Sequence, residues 1–415
     1  MKKIKYCLLL AFGLCWTGGE VWAQSYGQSE DYREIDFKKL DLEGYRKKAF
    51  ERHCKELEKC KQTVKENPKD ERAWDEYANT LSVMKGDGTA SDSLFKIEYP
   101  IMLEGMKKHI PHTATYELAK NDDPNEKNGL SYDEIIDKYP DSFLHYSTYI
   151  TVSSREEERL KKLCQHWYRS GQYPAERLNY AYNLLASTEE NALVFAGPLD
   201  YEPMLVLQLG KGLFQDRTIL MATFALSDMN RPFFGDELTK KLGIPPYKEK
   251  EDETEPSSPA QFAEMYVKQI KQRANYIIRH VNRPVYFSAS GGNMFEQIAL
   301  KDSLYSEGLL FKYSAKPYDN LAVIRRNFEH TYLLDYLKES FHPETLSSSY
   351  GGPKRINWDN LYYIPAFRSL LKFYKESGDR AHYEELDSLL RSIIDRADYA
   401  TPEVREEYLN SINNL

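Results

Sequence analysis

The chain has 415 residues, 29% charged and 41% hydrophobic, with 64 acidic side chains against 56 basic ones and a net charge of −8. An acidic balance argues against nucleic acid or an anionic membrane as partner, because phosphate neutralisation by Lys and Arg supplies most of that affinity. With 21 glycines and 19 prolines the composition is that of folded domains, long enough for one large core or for two to three smaller ones.

Lys2, Lys3 and Lys5 precede an apolar run from Tyr6 to Trp16, and Val21–Ala23 sets a small residue before a cut at Gln24, the pattern of a cleaved export signal over 1–23. The run falls short of the ~20 residues of a bilayer span. Leu14 stands where a lipoprotein signal has a small residue before its cysteine. No later stretch is apolar for long enough to cross a membrane, so the mature chain is expected to be soluble and exported, periplasmic or extracellular. Cleavage removes three lysines and Glu20, which takes the net charge to −10. It also removes Cys7 and Cys15 and leaves Cys54, Cys60 and Cys164, an odd number. Cys54 and Cys60 would lie ~9 Å apart along one helix, beyond disulfide reach, so either Cys164 bridges to one of them or all three are buried thiols.

Residues 24–190 read as a helical region, with an irregular insertion over 85–130. Arg46–Val64 carries apolar residues at helical spacing and stops at Asn67 and Pro68. Pro68, Trp74, Ala78 and Leu81, followed by a turn at Gly86, resemble a tetratricopeptide repeat, and Pro140 with Tyr146 repeats the offset of six. Trp74, Tyr77 and Tyr146 are expected in the core of such pairs, whose concave faces hold peptides or partner proteins. A last helical pair is expected within 341–415.

Between these regions, residues 191–340 read as a small α/β module. Apolar runs at Ala192–Ala196, Thr218–Ala222 and Pro284–Phe287 alternate with helical spacing, the mark of strand, helix, strand around an open, mostly parallel sheet. Residues 248–259 hold no leucine, isoleucine or aromatic residue and form an acidic, solvated loop ahead of a helix from Ala260 to about His280. The fold class is thus mixed α and α/β, with tetratricopeptide-like helical pairs flanking the sheet.

In open α/β sheets ligands sit beyond the carboxyl ends of the strands. Asp200 and Tyr201 follow the first run, Ser227, Asp228 and Asn230 the second, and Ser288, Ser290, Gly291, Gly292 and Asn293 the third. Asp200, Tyr201, Asp228, Ser288, Ser290, Gly291, Gly292 and Asn293 are therefore candidate ligand-binding residues, with the amides after Gly291 and Gly292 open to an anion. The competing reading makes Asp200 and Asp228 helix caps and the two glycines a tight turn. His109 and His112 lack a third ligand at metal-site spacing, Cys164 and His166 do not share a helix face, and no GxSxG serine occurs. Arg325 and Arg326, beside His330, form a basic patch or a solvated helical face. No catalytic residue, metal or cofactor is assigned.

Arg283–Ser288, Ser306–Tyr313, Tyr318–Leu321 and Phe328–Tyr332 come in an order that resembles the soluble extracytoplasmic tail of a family of multi-spanning envelope proteins of unknown function related to protein O-mannosyltransferases. Leu193–Pro203 is similar to that tail's strand running into an acidic turn, with Asp200, Tyr201 and Pro203 at matching places. The resemblance covers about 190–395 and implies a fold, an extracytoplasmic location and a binding edge. The spanning domain in which glycosyl transfer would occur is not present in this sequence, so no catalysis carries over. Two functions follow: a non-catalytic envelope adaptor that holds a protein or glycan partner, or a sugar- or phosphate-binding protein or glycan-active enzyme working at the strand ends.

Overall fold

The computed structural model describes residues 42–85, 89–123, 125, 129–226, 236–247, 259–289, 303–338, 353–397, 400 and 402–415. They fall into two units, divided after Trp167. The signal at 1–23, the acidic loop over 248–258, and Asp228, Ser290, Gly291, Gly292 and Asn293 lie outside the described residues. No described helix is long and apolar enough to cross a membrane.

The first unit is helical. Helix α1 (Leu42–Glu66) ends ahead of Pro68, and α2 (Glu71–Met84) begins at Asp70, whose carboxylate accepts the Arg72 amide at 3.0 Å. Trp74, Tyr77, Ala78, Leu81 and Met84 recur at helical spacing on α2 and are buried against Leu57 and Val64 of α1 and Tyr99, Met102 and Met106 of α3 (Thr89–His109). Gly105 lets α2 and α3 approach: a Cβ there would stand 2.4 Å from the Trp74 ring. Helices α4 (Ala114–Lys120), α5 (Tyr132–Lys138), α6 (Tyr146–Val152) and α7 (Glu157–Ser170) follow, α5 starting from a reciprocal Ser131–Glu134 capping box. The two prolines with aromatics six residues on are used alike. Trp74 Nε1 donates to the Pro68 carbonyl at 2.9 Å, and Tyr146 Oη donates to the Pro140 carbonyl at 2.5 Å. Trp74, Tyr77 and Tyr146 are core residues.

A buried polar cluster joins α2, α4 and the turn before α6. Thr115 Oγ1 is 2.7 Å from Glu71 Oε1 and 2.6 Å from His145 Nε2, while His145 Nδ1 lies 3.7 Å from Asp75 Oδ1. Thr115 has one hydroxyl proton, given to the Glu71 carboxylate, so it accepts from His145 and places the imidazole proton on Nε2. Nδ1 is left facing Asp75 as an acceptor. Burial pushes the Asp75 carboxyl up to about 7, with Glu71 and Glu76 adding to the effect, and burial lowers His145 to about 4.

The second unit holds the sheet, with helices before and after it in sequence. Helix α8 (Ala175–Ala186) leads to β1 (Leu193–Ala196), α9 (Pro198–Leu205) continues as a π-turn over Val206–Lys211, and β2 (Thr218–Met221) follows. Helices α10 (Ala222–Leu226), α11 (Asp236–Leu242) and α12 (Pro259–His280) precede β3 (Val285–Ser288). After β4 (Leu304–Ser306) and β5 (Leu310–Tyr313) come α13 (Asn320–Arg326), with a π-turn over Asn327–Thr331, then α14 (Asp335–Lys338), α15 (Pro353–Asn360), α16 (Tyr363–Ser377), α17 (Arg380–Arg396) and α18 (Pro402–Asn413).

The strand order is β2-β1-β3-β5-β4. Strand β1, paired on both sides, is buried at every residue, as a continuous apolar strand requires. The expected strands at 192–196, 218–222 and 284–287 are present and parallel, but the expectation of a mostly parallel sheet is corrected. Strands β3 and β5 pair antiparallel, as do β4 and β5. The reason is local: Gly308, at φ +113°, turns the chain between β4 and β5, so a hairpin forms without a crossover helix. Its hydrogen is all that fits there, because a Cβ would stand 2.4 Å from Tyr332 Oη.

The Asp75–His145 pair yields a pH prediction. Asp75 keeps its proton in the fold up to about pH 7 but releases it near 3.8 when unfolded, so stability falls as pH rises through that window. His145 acts oppositely, costing stability as pH falls from 6.5 to 4. Asp75→Asn abolishes the first effect alone. In urea unfolding its stability relative to wild type should improve by roughly 2–4 kcal/mol between pH 4 and pH 8; a pH-independent difference refutes the assignment.

Candidate functional site

At the carboxyl end of the parallel strands the structure brings together three of the sequence candidates. Ser288, the last residue of β3, accepts the Gly197 amide at 2.8 Å through its hydroxyl, which joins the ends of β1 and β3. Gly197 is the N-cap of α9, with Pro198 in its first turn, and Asp200 and Tyr201 lie one turn inside. Asp200 is 1% exposed and Ser288 fully buried. Asp200 stands in the first turn of α9, behind the Gly197 cap.

That edge is packed around a buried guanidinium that sequence reasoning passed over. Arg177, on α8, reaches Asp359 Oδ2 of α15 at 3.1 Å, the Leu199 carbonyl at 3.0 Å, Tyr173 Oη at 3.4 Å and Glu202 Oε1 at 3.9 Å. Tyr173 Oη donates to Glu202 Oε1 at 3.0 Å. Burial opposes the Arg177 charge, but Tyr173, Asp359 and Glu202 outweigh it and hold its pKa above the usual range. Burial, reinforced by Asp200, pushes the Tyr180 phenol well up. These contacts clamp α8, α9 and α15 together.

A cavity of about 470 Å³ opens beside the amino ends of β1 and β2. Ser187–Glu190 line it where the chain enters β1, Arg217 where it enters β2, and Tyr286 and Lys312 from paired positions on β3 and β5. Glu307, Tyr318, Val323, Arg326 and Thr331 complete the lining. Its polar groups are already ordered. Lys312 Nζ bonds Glu189 Oε1, stands 3.9 Å from Glu307 Oε1, and lies 6.0 and 5.5 Å from the Tyr286 and Tyr318 ring centres. Tyr318 Oη donates to Glu307 at 2.7 Å, and Tyr286 Oη accepts the Glu189 amide at 3.3 Å. Burial, with Glu307 next, raises both phenols, which stay neutral donors. Arg217 donates to the Thr188 hydroxyl and carbonyl at 3.2 Å each and pairs with Asp216 at 2.5 Å.

The two arginines of the sequence patch part company. Arg325 pairs with Glu329 at 2.8 Å, which also accepts from Tyr374, whereas Arg326 faces the cavity. Cys54, Cys60 and Cys164 are free thiols, and His109 stacks near Trp74 with ring centres 6.3 Å apart. Among the described residues no group of three His, Cys, Asp or Glu stands in metal-binding geometry. The cavity's sequence signal was faint: Glu189, Glu190 and Arg217 stand ahead of strands, where attention to carboxyl ends does not fall.

Compared with protein-family models, curated proteins and solved structures, the chain matched none.

Removing the Arg177 guanidinium leaves Asp359 and Glu202 facing no cation from α8. Arg177→Met should cost about 3–5 kcal/mol in urea unfolding, and Arg177→Met with Asp359→Leu should recover part of it. A loss under about 1 kcal/mol for the single variant would show that the network holds little.

Proposed function

We propose that this protein is an exported, non-catalytic binding protein of the cell envelope, whose sheet-bearing unit holds a small polar ligand. The observation that carries the reading is the cavity beside β1 and β2: its volume of about 470 Å³ lies within the ~300–1,000 Å³ of small-molecule sites, and its charged walls are ordered in advance by hydrogen bonds. The site lies at the strands' amino ends, opposite the edge that the strand-end rule favours. Export rests on the pattern of residues 1–23, and the envelope setting on the resemblance to an extracytoplasmic tail.

Scanning fluorimetry of the purified chain against sugars, amino acids and phosphorylated metabolites tests this. At least one class should raise the melting temperature saturably, and Val323→Trp, which fills the cavity from a partly exposed wall, should abolish the rise without lowering the unliganded melting temperature. A rise that survives Val323→Trp places the ligand elsewhere.

A second role, holding a protein partner, is supported by the helical first unit. Its Trp74 and Tyr146 each bond back to a proline carbonyl six residues earlier, a repeated local feature that favours a tetratricopeptide-like reading, whose stacked pairs form partner-binding surfaces. Capture of the full chain from crosslinked envelopes should retain an envelope protein in stoichiometric amount. An empty capture leaves only the ligand-binding role.

A further inference from the structure

The charges on the cavity wall narrow the ligand further, on the reading that the cavity is a ligand site. Its lining includes three cations, Arg217, Lys312 and Arg326, and three carboxylates, Glu189, Glu190 and Glu307. Most are spent on one another. Lys312 bridges Glu189 and Glu307, and Arg217 is matched by Asp216 and tied to Thr188. Two are not. Among the described residues Arg326 makes only a 3.4 Å bond to the side-chain oxygen of its neighbour Asn327, and Glu190 makes no ion pair. The wall thus presents one unmatched guanidinium and one unmatched carboxylate. The two carboxylates sharing Lys312 leave one excess negative charge, and one of them, Glu189, adjoins Glu190 in the chain.

We propose that the cavity receives a zwitterion, a free α-amino acid or a short peptide with free ends, its carboxylate on Arg326 and its ammonium on Glu190. Guanidinium and carboxylate form the strongest bidentate pair available to a side chain, and an ammonium beside Glu189, Glu190 and Glu307 meets complementary charge. The alternatives fit less well. A simple anion meets Arg326 but leaves Glu190 without a counter-charge, and a neutral sugar leaves both unmatched groups without one. The wall itself is rigid where it must discriminate: Asn327 donates to the Glu307 carbonyl at 2.7 Å, which fixes the π-turn that carries Thr331 and directly follows Arg326.

Calorimetry on the full purified chain decides it, with the twenty amino acids and dialanine as zwitterionic probes, N-acetyl-dialanine and dialanine amide as singly blocked ones, and glucuronate and glucose as controls. At least one zwitterion should bind at one site, and blocking either end should weaken it about tenfold or more. Arg326→Ala should weaken the zwitterion by a similar factor while leaving the amide unchanged, and Glu190→Gln should do the same with the N-acetyl form as reference. Both residues are exposed, so these variants keep the fold. Binding of glucuronate or glucose alone, lost in Val323→Trp, overturns the zwitterion and preserves the cavity as a ligand site. Zwitterion binding indifferent to Arg326 and Glu190 overturns the placement. Failure of every probe to bind the wild-type chain overturns both readings.

Discussion

The buried Arg177 guanidinium is the constraint on which the sheet-bearing unit depends. A charge taken out of water must be met from several sides, and here Tyr173, the Leu199 carbonyl, Glu202 and Asp359 meet it from the approach to α8, from α9 and from α15. Helix α8 is thereby locked in rotation and height. Asn179 and Asn183, further along the same helix, donate to the Leu333 carbonyl at 2.8 and 3.0 Å, and Asn183 accepts the Leu333 amide at 2.8 Å. The end of α8 runs into Ser187–Glu190, so the clamp at one end of the strands fixes the cavity wall at the other.

Two π-turns continue helices in this unit, and each has a local reason. Over Val206–Lys211, Gln208 donates to the carbonyls of Phe214 and Arg217 at 2.7 and 2.9 Å, which holds the chain entering β2 and with it the Arg217 wall. Over Asn327–Thr331, the buried Asn327 amide is committed to Glu307. Insertions of this kind shift the helix register by one residue and re-aim side chains, and π-turns are frequent at functional positions. Here the second gives Thr331 to the cavity wall, and the first bears on it only through the chain that carries Arg217.

Much of the fold was legible in the residues. The strands at Leu193–Ala196, Thr218–Met221 and Val285–Ser288 announce themselves as short apolar runs between turn residues, and α12 by helical spacing from Pro259. The aromatic residues Trp74, Tyr77 and Tyr146 were legible as core because their spacing repeats. The β4–β5 hairpin was not. Leu304–Ser306 and Leu310–Tyr313 are short and half-exposed, so they lack the alternation of a long strand, and their antiparallel pairing depends on a single glycine conformation. Of the candidate residues, Asp200, Tyr201 and Ser288 lie at the ends of β1 and β3, whereas the nearby Arg177 network depends on partners such as Asp359, 182 residues away in the chain.

The sequence by itself determined the three parallel strands, the main helices and the concentration of polar groups at strand ends, because these follow from spacing along one segment. Only the tertiary structure decided which charged groups are matched and which face a cavity, because burial, ion pairing and unmatched charge are properties of side chains from distant segments. Arg177 is spent on Asp359 and Glu202, whereas Arg326 is left facing a cavity, and nothing in the local sequence of either arginine distinguishes them.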